Sequence, residues 1–523
     1  MFTRFAFASA ALLTAVTVAQ AAPPTLKVDG GMIAVAAPSA DGIRVYKGLP
    51  YAASPTGTLR WRAPASVPPW KGVRAVDRFG PNCIQPKVYL DIDPFNPSMS
   101  EDCLTLNIWT AAKAGEARPV FVWIHGGGYG AGYGSESRHD GMALARKGLV
   151  VVTFNYRLGV FGFLAHPELT AESPQHASGN YALMDMIAAL KWVRKNIAKF
   201  GGDPNRVAIA GESAGSDAVS QLMASPLAHG LFQRAIGESG AAFGVVDTLT
   251  AAEAKGEAFA RAMDDDSIAA LRKRSTTELL ALELAPNARW GFRPDVDGWV
   301  MPAPPREIFA AGKQNDVPLL AGWNADEGTL FESGQFDTRT LAEMLTERFG
   351  DKSAEAAKFY PSATPDEERR SRVTFAGDKV IAQPTWSWAA AQKKTGHAPV
   401  FLYRFDQHPP IPPDWFGEAY KGVYVGAFHS GEIAYIFGHP DIFPFWRPTA
   451  EDRQLADLMS SAWAAFAATG DPNGEGRQEW APYDPGGTAM RMIFGPQTGA
   501  VSDDELARRR FLEETFPDLY RIQ

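Results

Sequence analysis

Short, continuous apolar segments rich in β-branched residues recur along the chain, with room for helices between them. Five of them read as strands: Val120–Ile124, Leu149–Phe154, Val207–Ala210, Val317–Ala321 and Val400–Tyr403. Strands without alternating polar side chains are typical of sheets that are covered on both faces. The pattern therefore predicts a central sheet that is buried on both sides.

Helical periodicity separates these strands. It is clearest over Tyr181–Ala198, where apolar residues recur at steps of three and four. Thr250–Leu284 and Leu341–Trp388 read as further helices, which we expect as insertions over one rim of the sheet. Alternating strands and helices predict an α/β fold with a mostly parallel sheet and helices on both faces.

The composition excludes several classes of protein. Of the 523 residues, 46% are hydrophobic and 21% are charged, and the formal net charge is −8. The apolar fraction excludes a disordered chain, and the lack of excess positive charge argues against a nucleic-acid partner. After residue 21 no run of about 18 apolar residues occurs, so no stable membrane span is expected.

The first 21 residues have the layout of a secretory signal peptide. Met1–Arg4 is basic, Phe5–Ala19 is mostly apolar, and Ala19–Ala21 (AQA) fits a small-x-small cleavage site. This layout predicts cleavage after residue 21 and export to the periplasm or out of the cell. In such an oxidising compartment Cys83 and Cys103 can pair, although a catalytic cysteine is also possible. No further ligands are spaced near them for a metal site.

A serine flanked by glycines follows directly on the third predicted strand. Gly211–Gly215 reads GESAG, and Ser216–Ala224 after it is compatible with a helix. G-x-S-x-G between a strand and a helix is a nucleophile elbow, a turn so tight that small residues must stand two positions before and after the serine. The pattern predicts Ser213 as a nucleophile.

A glycine-rich loop follows the first predicted strand. His125–Gly130 reads HGGGYG, the type of loop that supplies backbone N–H donors to an oxyanion in lipases and esterases. Glycines suit this task because no Cβ blocks the approach of the substrate. We expect Gly127, Gly128 and Ala214 to be the donors. A phosphate-binding loop would need a following Gly-Lys-Ser/Thr, which is absent.

The acid and the base are expected after Ser213, in the order serine, acid, histidine that accompanies this elbow. Asp326 and Glu327 come just after the fourth predicted strand, and either carboxylate could orient a histidine. Spacing alone leaves His408 and His429 as nearly equal candidates for the base.

Several blocks of the sequence resemble the type-B carboxylesterases, the family that includes the cholinesterases. The blocks are Gly48–Ala52 (GLPYA), Leu59–Trp61 (LRW), Ser100–Trp109 (SEDCLTLNIW), Asn155–Arg157 (NYR), Phe200–Pro204 (FGGDP) and Gly211–Gly215 (GESAG). The resemblance extends from about Val28 to beyond Phe437. It implies an α/β-hydrolase fold, in which a mostly parallel central sheet has helices on both faces and helical insertions over the active-site rim.

The resemblance also selects among the candidate residues. The family carries its acid in a D-E-G context and its base in an H-x-x-E-I context, which fall on Glu327 and His429. It implies supporting roles for Glu212, as a carboxylate that tunes the site, and for Ser239, as a hydrogen-bond partner. The implied structural links are a Cys83–Cys103 disulfide and the buried ion pairs Arg60–Glu101 and Arg157–Asp185.

One block departs from the cholinesterases. They carry a tryptophan before the S-E-D-C block that stacks on a quaternary ammonium, whereas Asp93–Pro97 (DPFNP) offers only Phe95. A cation–π site needs an aromatic face at that place, so choline esters are not expected as preferred substrates.

These residues predict a serine hydrolase that cleaves small-molecule carboxylic esters through an acyl-enzyme, with Ser213, His429 and Glu327 as a triad and without metal or cofactor. The alternatives are amide, carbamate or polyester hydrolysis at the same site, and a non-catalytic binding or adhesion protein. Because the constellation spreads from Gly127 to His429, residues 22–523 are predicted as a single domain.

Three residues are candidates for the wall of an acyl pocket: Tyr129, Phe292 and Arg293. Arg293 could meet an acidic acyl group, although an exposed arginine without such a role is the more common case. The sequence gives no indication of the oligomeric state.

Overall fold

The computed structural model describes residues 24–516, apart from 88–97, 114, 266, 287, 289, 332–338, 413–414, 417–424 and 488. The predicted signal peptide and Phe95 lie outside the described residues. The strands are β1 (Thr25–Val28), β2 (Gly31–Ala34), β3 (Arg44–Pro50), β4 (Val73–Arg74), β5 (Thr105–Thr110), β6 (Arg118–Ile124), β7 (Val150–Phe154), β8 (Gly202–Glu212), β9 (Arg234–Glu238), β10 (Asp247–Thr248), β11 (Asp295–Val296), β12 (Leu319–Asn324), β13 (Val400–Phe405), β14 (Met490–Phe494) and β15 (Gly499–Ser502).

The α-helices alternate with these strands through much of the chain. They are α1 (Met142–Arg146), α2 (Gly159–Phe163), α3 (Pro167–Glu172), α4 (Tyr181–Asn196), α5 (Ala214–Ala224), α6 (Leu249–Ala262), α7 (Ile268–Leu271), α8 (Thr276–Glu283), α9 (Pro305–Ala310), α10 (Leu341–Phe349), α11 (Ser353–Ala356), α12 (Pro365–Gly377), α13 (Gln383–Thr395), α14 (Ile433–Ile436), α15 (Ala450–Thr469) and α16 (Leu506–Thr515).

The central sheet has ten strands in the described part of the chain. Their order is β15-β14-β13-β12-β9-β8-β6-β7-β5-β3. The seven strands from β14 to β7 run parallel, whereas β15 at one edge and β5 and β3 at the other pair antiparallel. The carboxyl ends of the parallel strands meet at one edge, where open α/β sheets bind their ligands.

Alternate side chains along the strands enter two separate hydrophobic cores. On β6, Val120 and Val122 belong to the core that also contains residues of α4 and α5. Phe121 and Trp123 point to the other face and pack with residues of α15 such as Trp463. Helices therefore cover both faces of a mostly parallel sheet, and the predicted α/β architecture is confirmed.

The predicted elements are present with shifted ends. The helix predicted over Tyr181–Ala198 ends at Asn196 and continues as a 3-10 turn over Ile197–Phe200. The strand predicted as Val207–Ala210 begins at Gly202, which pairs with Arg118 of β6, and the register shifts before pairing resumes at Val207. The strand predicted over Val317–Ala321 is displaced to Leu319–Asn324.

The two predicted helical segments are broken into several pieces. Thr250–Leu284 contains α6, α7 and α8, and Leu341–Trp388 contains α10 to α13 with a π-helical turn at Asp378–Ala382. A Cβ on Gly328, just after Glu327, would lie 1.9 Å from Val373 O of α12. This second segment therefore packs directly on the rim of the sheet.

The structural links implied by the resemblance are present. Cys83 and Cys103 form a disulfide, which confirms that expectation. The ion pairs Arg60–Glu101 and Arg157–Asp185 have closest contacts of 2.7 Å, and all four side chains are buried. Within the ranges that the structure describes, no helix has the length and apolar character needed to cross a membrane.

Candidate active site

Ser213 lies in a strained turn between β8 and α5. Its backbone has φ 55° and ψ −122°, and its N–H donates a hydrogen bond to Glu238 O at 2.8 Å. A positive φ is costly for a residue other than glycine, so the surrounding strands must hold this conformation. The turn places the side chain of Ser213 at the carboxyl edge of the sheet.

The two glycines of the elbow lie where no side chain fits. A Cβ on Gly215 would lie 2.0 Å from Ile124 O at the end of β6. A Cβ on Gly211 would lie 2.5 Å from the carbonyl carbon of Gly215. Backbone blocks both positions, which is the steric reason that the motif requires small residues there.

Three side chains at this edge form a continuous chain of hydrogen bonds. Ser213 Oγ lies 2.9 Å from His429 Nε2, and His429 Nδ1 lies 2.6 Å from Glu327 Oε2. Because a carboxylate only accepts, His429 Nδ1–H donates to Glu327, and Nε2 is left to accept from the Ser213 hydroxyl. The Glu327 side chain is 2% exposed and that of His429 is 12% exposed.

Neighbouring residues hold the acid and the histidine loop in place. Asn324, the last residue of β12, donates its N–H to Glu327 Oε1 at 2.7 Å and its side-chain N–H to Phe428 O at 2.7 Å. Asp326, the other candidate acid, accepts from the N–H of Ala427 at 2.8 Å. Asp326 therefore braces the loop, and Glu327 contacts the imidazole.

His408 is the other histidine that spacing left as a candidate base. Its side chain is exposed. Burial raises the pKa of the nearby Asp326, and the hydrogen bond from Ala427 and the effect of His408 offset part of this rise. Of the two histidines that spacing left open, the structure brings His429 to Ser213.

The predicted oxyanion loop crosses directly beside the serine. A Cβ on Gly126 would lie 2.7 Å from Glu212 Oε2 and 3.1 Å from Ser213 Cβ. Gly127 has φ 98°, and a Cβ there would lie 2.3 Å from Ala131 O. The loop can therefore approach the nucleophile only as backbone.

The three expected donor groups are available in this arrangement. Among the described residues, the N–H groups of Gly127 and Gly128 donate no hydrogen bond. The N–H of Ala214 is the first of α5 and has no acceptor within the helix. Unused N–H groups beside a nucleophile suit a ligand oxygen that carries negative charge.

Buried glutamates surround the histidine. Glu212 Oε1 lies 3.3 Å from His429 Nε2, and Glu432 Oε1 accepts from the Ser239 hydroxyl at 3.1 Å. Glu238, paired with Glu212 in the β8–β9 register, accepts from the indole N–H of Trp463. Glu212 and Ser239 were expected here from the resemblance, whereas Glu238 was not singled out.

A second hydrogen bond explains how Glu432 enters this group. Its Oε2 accepts from Asn324 Nδ2 at 2.5 Å, so Asn324 joins Glu432 to Glu327. Two features of the sequence could have pointed to these residues. Asn324 and Glu238 stand at the ends of strands, and Glu432 stands in the H-x-x-E pattern. None of these signals distinguishes a site residue from a residue of the core.

The environment shifts the pKa of each group in this cluster. Burial raises the pKa of Glu212 to about 8 and that of Glu432 to about 7, and it raises the pKa of Glu238 well above its usual value. Burial also disfavours a charged His429, but Glu212 and Glu327 outweigh it, and the pKa of the imidazole is raised. Carboxyl groups this close cannot all ionise, so the cluster retains protons near neutral pH.

The pocket candidates occupy different surroundings. Tyr129 is 2% exposed and packs edge-on against Phe163, with ring centroids 5.1 Å apart. Phe292 is buried against Phe259, and Arg293 is exposed. The structure also places Phe331 beside the site, with its ring 5.2 Å from that of His429 and 44% of its surface exposed.

The described ranges of the chain contain no set of side chains that could ligate a metal ion. No group of three or more His, Cys, Asp or Glu side chains there is arranged to hold a metal ion.

Comparisons with known proteins find relatives over most of the chain. The model of the carboxylesterase family matches residues 24–503. The chain is 38% identical over 476 residues to the fumonisin B1 esterase of Sphingopyxis macrogoltabida, covering 88% of this chain and 84% of that protein. It is 35% identical over 488 residues to the para-nitrobenzyl esterase of Bacillus subtilis, covering 90% and 95%.

A solved structure of a PNB esterase superposes over most of the molecule. The TM-score is 0.78 at 34% sequence identity, and the match covers 93% of this chain and 99% of that chain. Both the sequence and the fold agree over nearly the full length. The chain belongs to the carboxylesterase family and is a carboxylic ester hydrolase of the α/β-hydrolase fold.

Proposed function

We propose that the enzyme hydrolyses small-molecule carboxylic esters by a double displacement at Ser213. The observation that carries the proposal is the chain of hydrogen bonds from Ser213 Oγ through His429 to Glu327, at 2.9 and 2.6 Å. Serine is a weak nucleophile at neutral pH, so it needs an adjacent base that is itself held in one orientation.

In the first half-reaction His429 Nε2 takes the hydroxyl proton while Ser213 Oγ bonds to the ester carbonyl carbon. Glu327 holds the imidazole in the tautomer that accepts at Nε2 and stabilises its positive form. The N–H groups of Gly127, Gly128 and Ala214 stabilise the negative oxygen of the tetrahedral intermediate, each contributing about 3 kcal/mol in the transition state. His429 then protonates the alcohol as it leaves.

In the second half-reaction water replaces the alcohol. His429 takes a proton from water, the hydroxide adds to the acyl carbon, and the C–O bond to Ser213 breaks as His429 returns the proton to Oγ. The products are a carboxylic acid and the free enzyme. Every step uses groups of this chain and water, so no metal or organic cofactor enters the proposal.

The same proposal includes export as a single domain of residues 22–523. The layout of residues 1–21 supports a cleaved signal peptide. The Cys83–Cys103 disulfide is compatible with an oxidising compartment.

The test is hydrolysis of p-nitrophenyl acetate and butyrate by three variants. Ser213→Ala and His429→Ala should each lower kcat by a factor of about 10⁴ or more, because they remove the nucleophile and its base. His408→Ala should keep the wild-type rate, since His408 is exposed and it is His429 that hydrogen-bonds to Ser213. Circular dichroism checks that all three variants are folded. An active Ser213→Ala variant would disprove the assignment, and an inactive His408→Ala with an active His429→Ala would move the base to the other loop.

A further inference from the structure

Tyr129 is held in an unfavourable backbone conformation within the oxyanion loop. It follows Gly128 directly and has φ 63°, in the left-handed region that a tyrosine rarely adopts. Its ring is buried against Phe163. A residue in such a conformation stays there only if its surroundings fix it.

The Tyr129 hydroxyl is fixed by two side chains of the helix that carries the nucleophile. It donates to Asp217 Oδ1 at 2.5 Å and accepts from Gln221 Nε2 at 3.0 Å. Gln221 also donates to Asp217 at 2.5 Å. Asp217 in turn donates its N–H to Ser213 O at 2.9 Å, so the cluster lies one helical turn from the nucleophile.

The backbone of Tyr129 is fixed from the opposite side. Its carbonyl oxygen accepts from the N–H of Gly159 at 2.8 Å, at the start of α2. The residue after the predicted donors is thus tied by its hydroxyl to α5 and by its carbonyl to α2. Because Tyr129 directly follows Gly128, both anchors hold the end of the Gly127–Gly128 segment and limit how far its N–H groups can move from Ser213.

We propose that Tyr129 and Asp217 are positioning residues of the oxyanion hole, whose hydroxyl–carboxylate bond sets the distance between the loop N–H groups and Ser213. The inference rests on the proposed function, since it assumes that these N–H groups receive the oxyanion. Donors of this kind are effective because they are already oriented before charge develops. If one anchor were lost, the N–H groups of Gly127 and Gly128 would be within hydrogen-bonding distance of the oxyanion for only part of the time.

The surroundings of the Tyr129 hydroxyl keep it protonated, so it can always donate a hydrogen bond to Asp217. Burial and the Asp217 carboxylate both hold the pKa of Tyr129 well above its usual value, so its hydroxyl keeps the proton. Burial raises the pKa of Asp217 as well, and the exposed Arg293 offsets part of the rise in both groups. This gives Arg293 a charged neighbour within the protein, without the need for an acidic acyl group.

The experiment compares Tyr129→Phe, Asp217→Ala and Asp217→Asn with a matched control, Tyr483→Phe. Tyr483 is also fully buried, donates to Asp503 at 2.8 Å and accepts from Trp386 Nε1 at 2.8 Å. It lies at the opposite edge of the sheet, where its N–H donates to Val400 O at the start of β13. The control therefore loses the same pair of hydrogen bonds far from Ser213.

Each variant is measured for kcat and KM with p-nitrophenyl butyrate, for thermal unfolding, and for inhibition by an alkyl trifluoromethyl ketone. The ketone carbon bonds to Ser213 Oγ and its oxygen becomes an oxyanion, so its affinity reports on the donors directly. Tyr129→Phe and Asp217→Ala should each lower kcat and ketone affinity by about tenfold, less than the loss of a whole donor, with KM nearly unchanged. Asp217→Asn keeps an acceptor oxygen and should stay within about threefold of wild type.

Tyr483→Phe should reproduce the loss of thermal stability but keep kcat and ketone affinity. The inference is wrong if Tyr129→Phe behaves like Tyr483→Phe, or if its effect falls on KM alone, as for a residue that only lines the pocket. A wild-type enzyme that hydrolyses no ester would instead disprove the proposed function. The two failures are therefore distinguishable.

Discussion

At the scale of single residues, the effect of Glu212 on the pKa of His429 can be tested through the pH dependence of activity. Glu212 Oε1 is 3.3 Å from His429 Nε2, on the side of the imidazole that faces Ser213. Burial raises the pKa of Glu212 to about 8, but a protonated His429 lowers it, and an ionised Glu212 in turn raises the pKa of His429. A general base must be neutral to accept a proton. In the proposed mechanism, an ionised Glu212 would stabilise the positive form of His429 and raise the pH needed to deprotonate the free enzyme.

Replacing Glu212 by Gln should shift the acid limb of the pH dependence of kcat/KM. The pKa of His429 is raised by Glu212 and Glu327 against the effect of burial. Removing one of these charges lowers it, so the acid limb should move by about one pH unit toward lower pH. Glu116→Gln, which removes an exposed partner of Arg118, is the control and should leave the profile in place. An unchanged limb in Glu212→Gln would mean that Glu212 is already protonated in the working range.

At the scale of elements, one side chain joins the first helical insertion to the rim of the site. Glu283, the last residue of α8, accepts from the N–H of Val160 through both carboxylate oxygens, at 3.1 and 3.2 Å. Val160 belongs to α2, whose first residue, Gly159, donates to Tyr129 O. The insertion is thus anchored next to the oxyanion loop by an ionisable group.

This anchor should make stability depend on pH. Burial raises the pKa of Glu283 to about 7, although the Val160 N–H lowers it. The folded state then binds more protons than the unfolded state between about pH 4.5 and 7, so this group's contribution to stability falls as the pH rises through that range. Glu283→Gln keeps an acceptor for Val160 without the charge.

We expect Glu283→Gln to be more stable than wild type at pH 8, by about 2 kcal/mol, and the difference to shrink at pH 5. The measurement is the thermal unfolding temperature of both proteins at the two pH values. A difference that is equal at pH 5 and pH 8 would show that ionisation of Glu283 is not its cause.

The elements also show how far sequence patterns reach. Apolar runs located the buried strands, but β8 extends to Gly202 because backbone pairing does not require apolar side chains. The elbow and the glycine loop were recognisable because sterics restrict them to small residues. His429 was different: it lies well beyond the end of β13 in sequence, so no local pattern separated it from His408, and only the resemblance did. Glu238 and Asn324 gain their roles from hydrogen bonds to residues that are distant in sequence, to Trp463 and to Glu432 respectively.

At the scale of the whole molecule, a buried charge network attaches the C-terminal helix. Arg509 contacts Asp378 and Glu505 at 2.5 Å each, and its guanidinium lies 4.7 Å from the ring of Trp323. Asp378 belongs to the π-helical turn that follows α12, and Trp323 lies on β12. The helix α16, which begins after residue 503 where the family match ends, therefore contacts the strand that leads to Glu327.

Arg509→Met should destabilise the fold by about 3 kcal/mol, because it removes the nearest partner of the buried Asp378 and one of the arginines around Glu505. Arg508 also contacts Asp378 and Glu505 and should keep the loss near the low end of the range for buried pairs. The measurement is denaturant-induced unfolding. Arg510→Met on the exposed face of the same helix is the control, with an expected change below about 0.5 kcal/mol. Equal stability of the two variants would contradict a structural role for the network.

The order of strands in the sheet has a consequence for how the enzyme acquires its activity. Ser213 and His429 are 216 positions apart, and the strands before them join only through β9 and β12, which lie between them in the sheet. Such non-local parallel pairing closes late in folding, after much of the helical content has formed. A refolding intermediate can thus have nearly complete circular dichroism and still have no site. Recovered ester hydrolysis is therefore a stricter count of correctly assembled molecules than any measure of secondary structure.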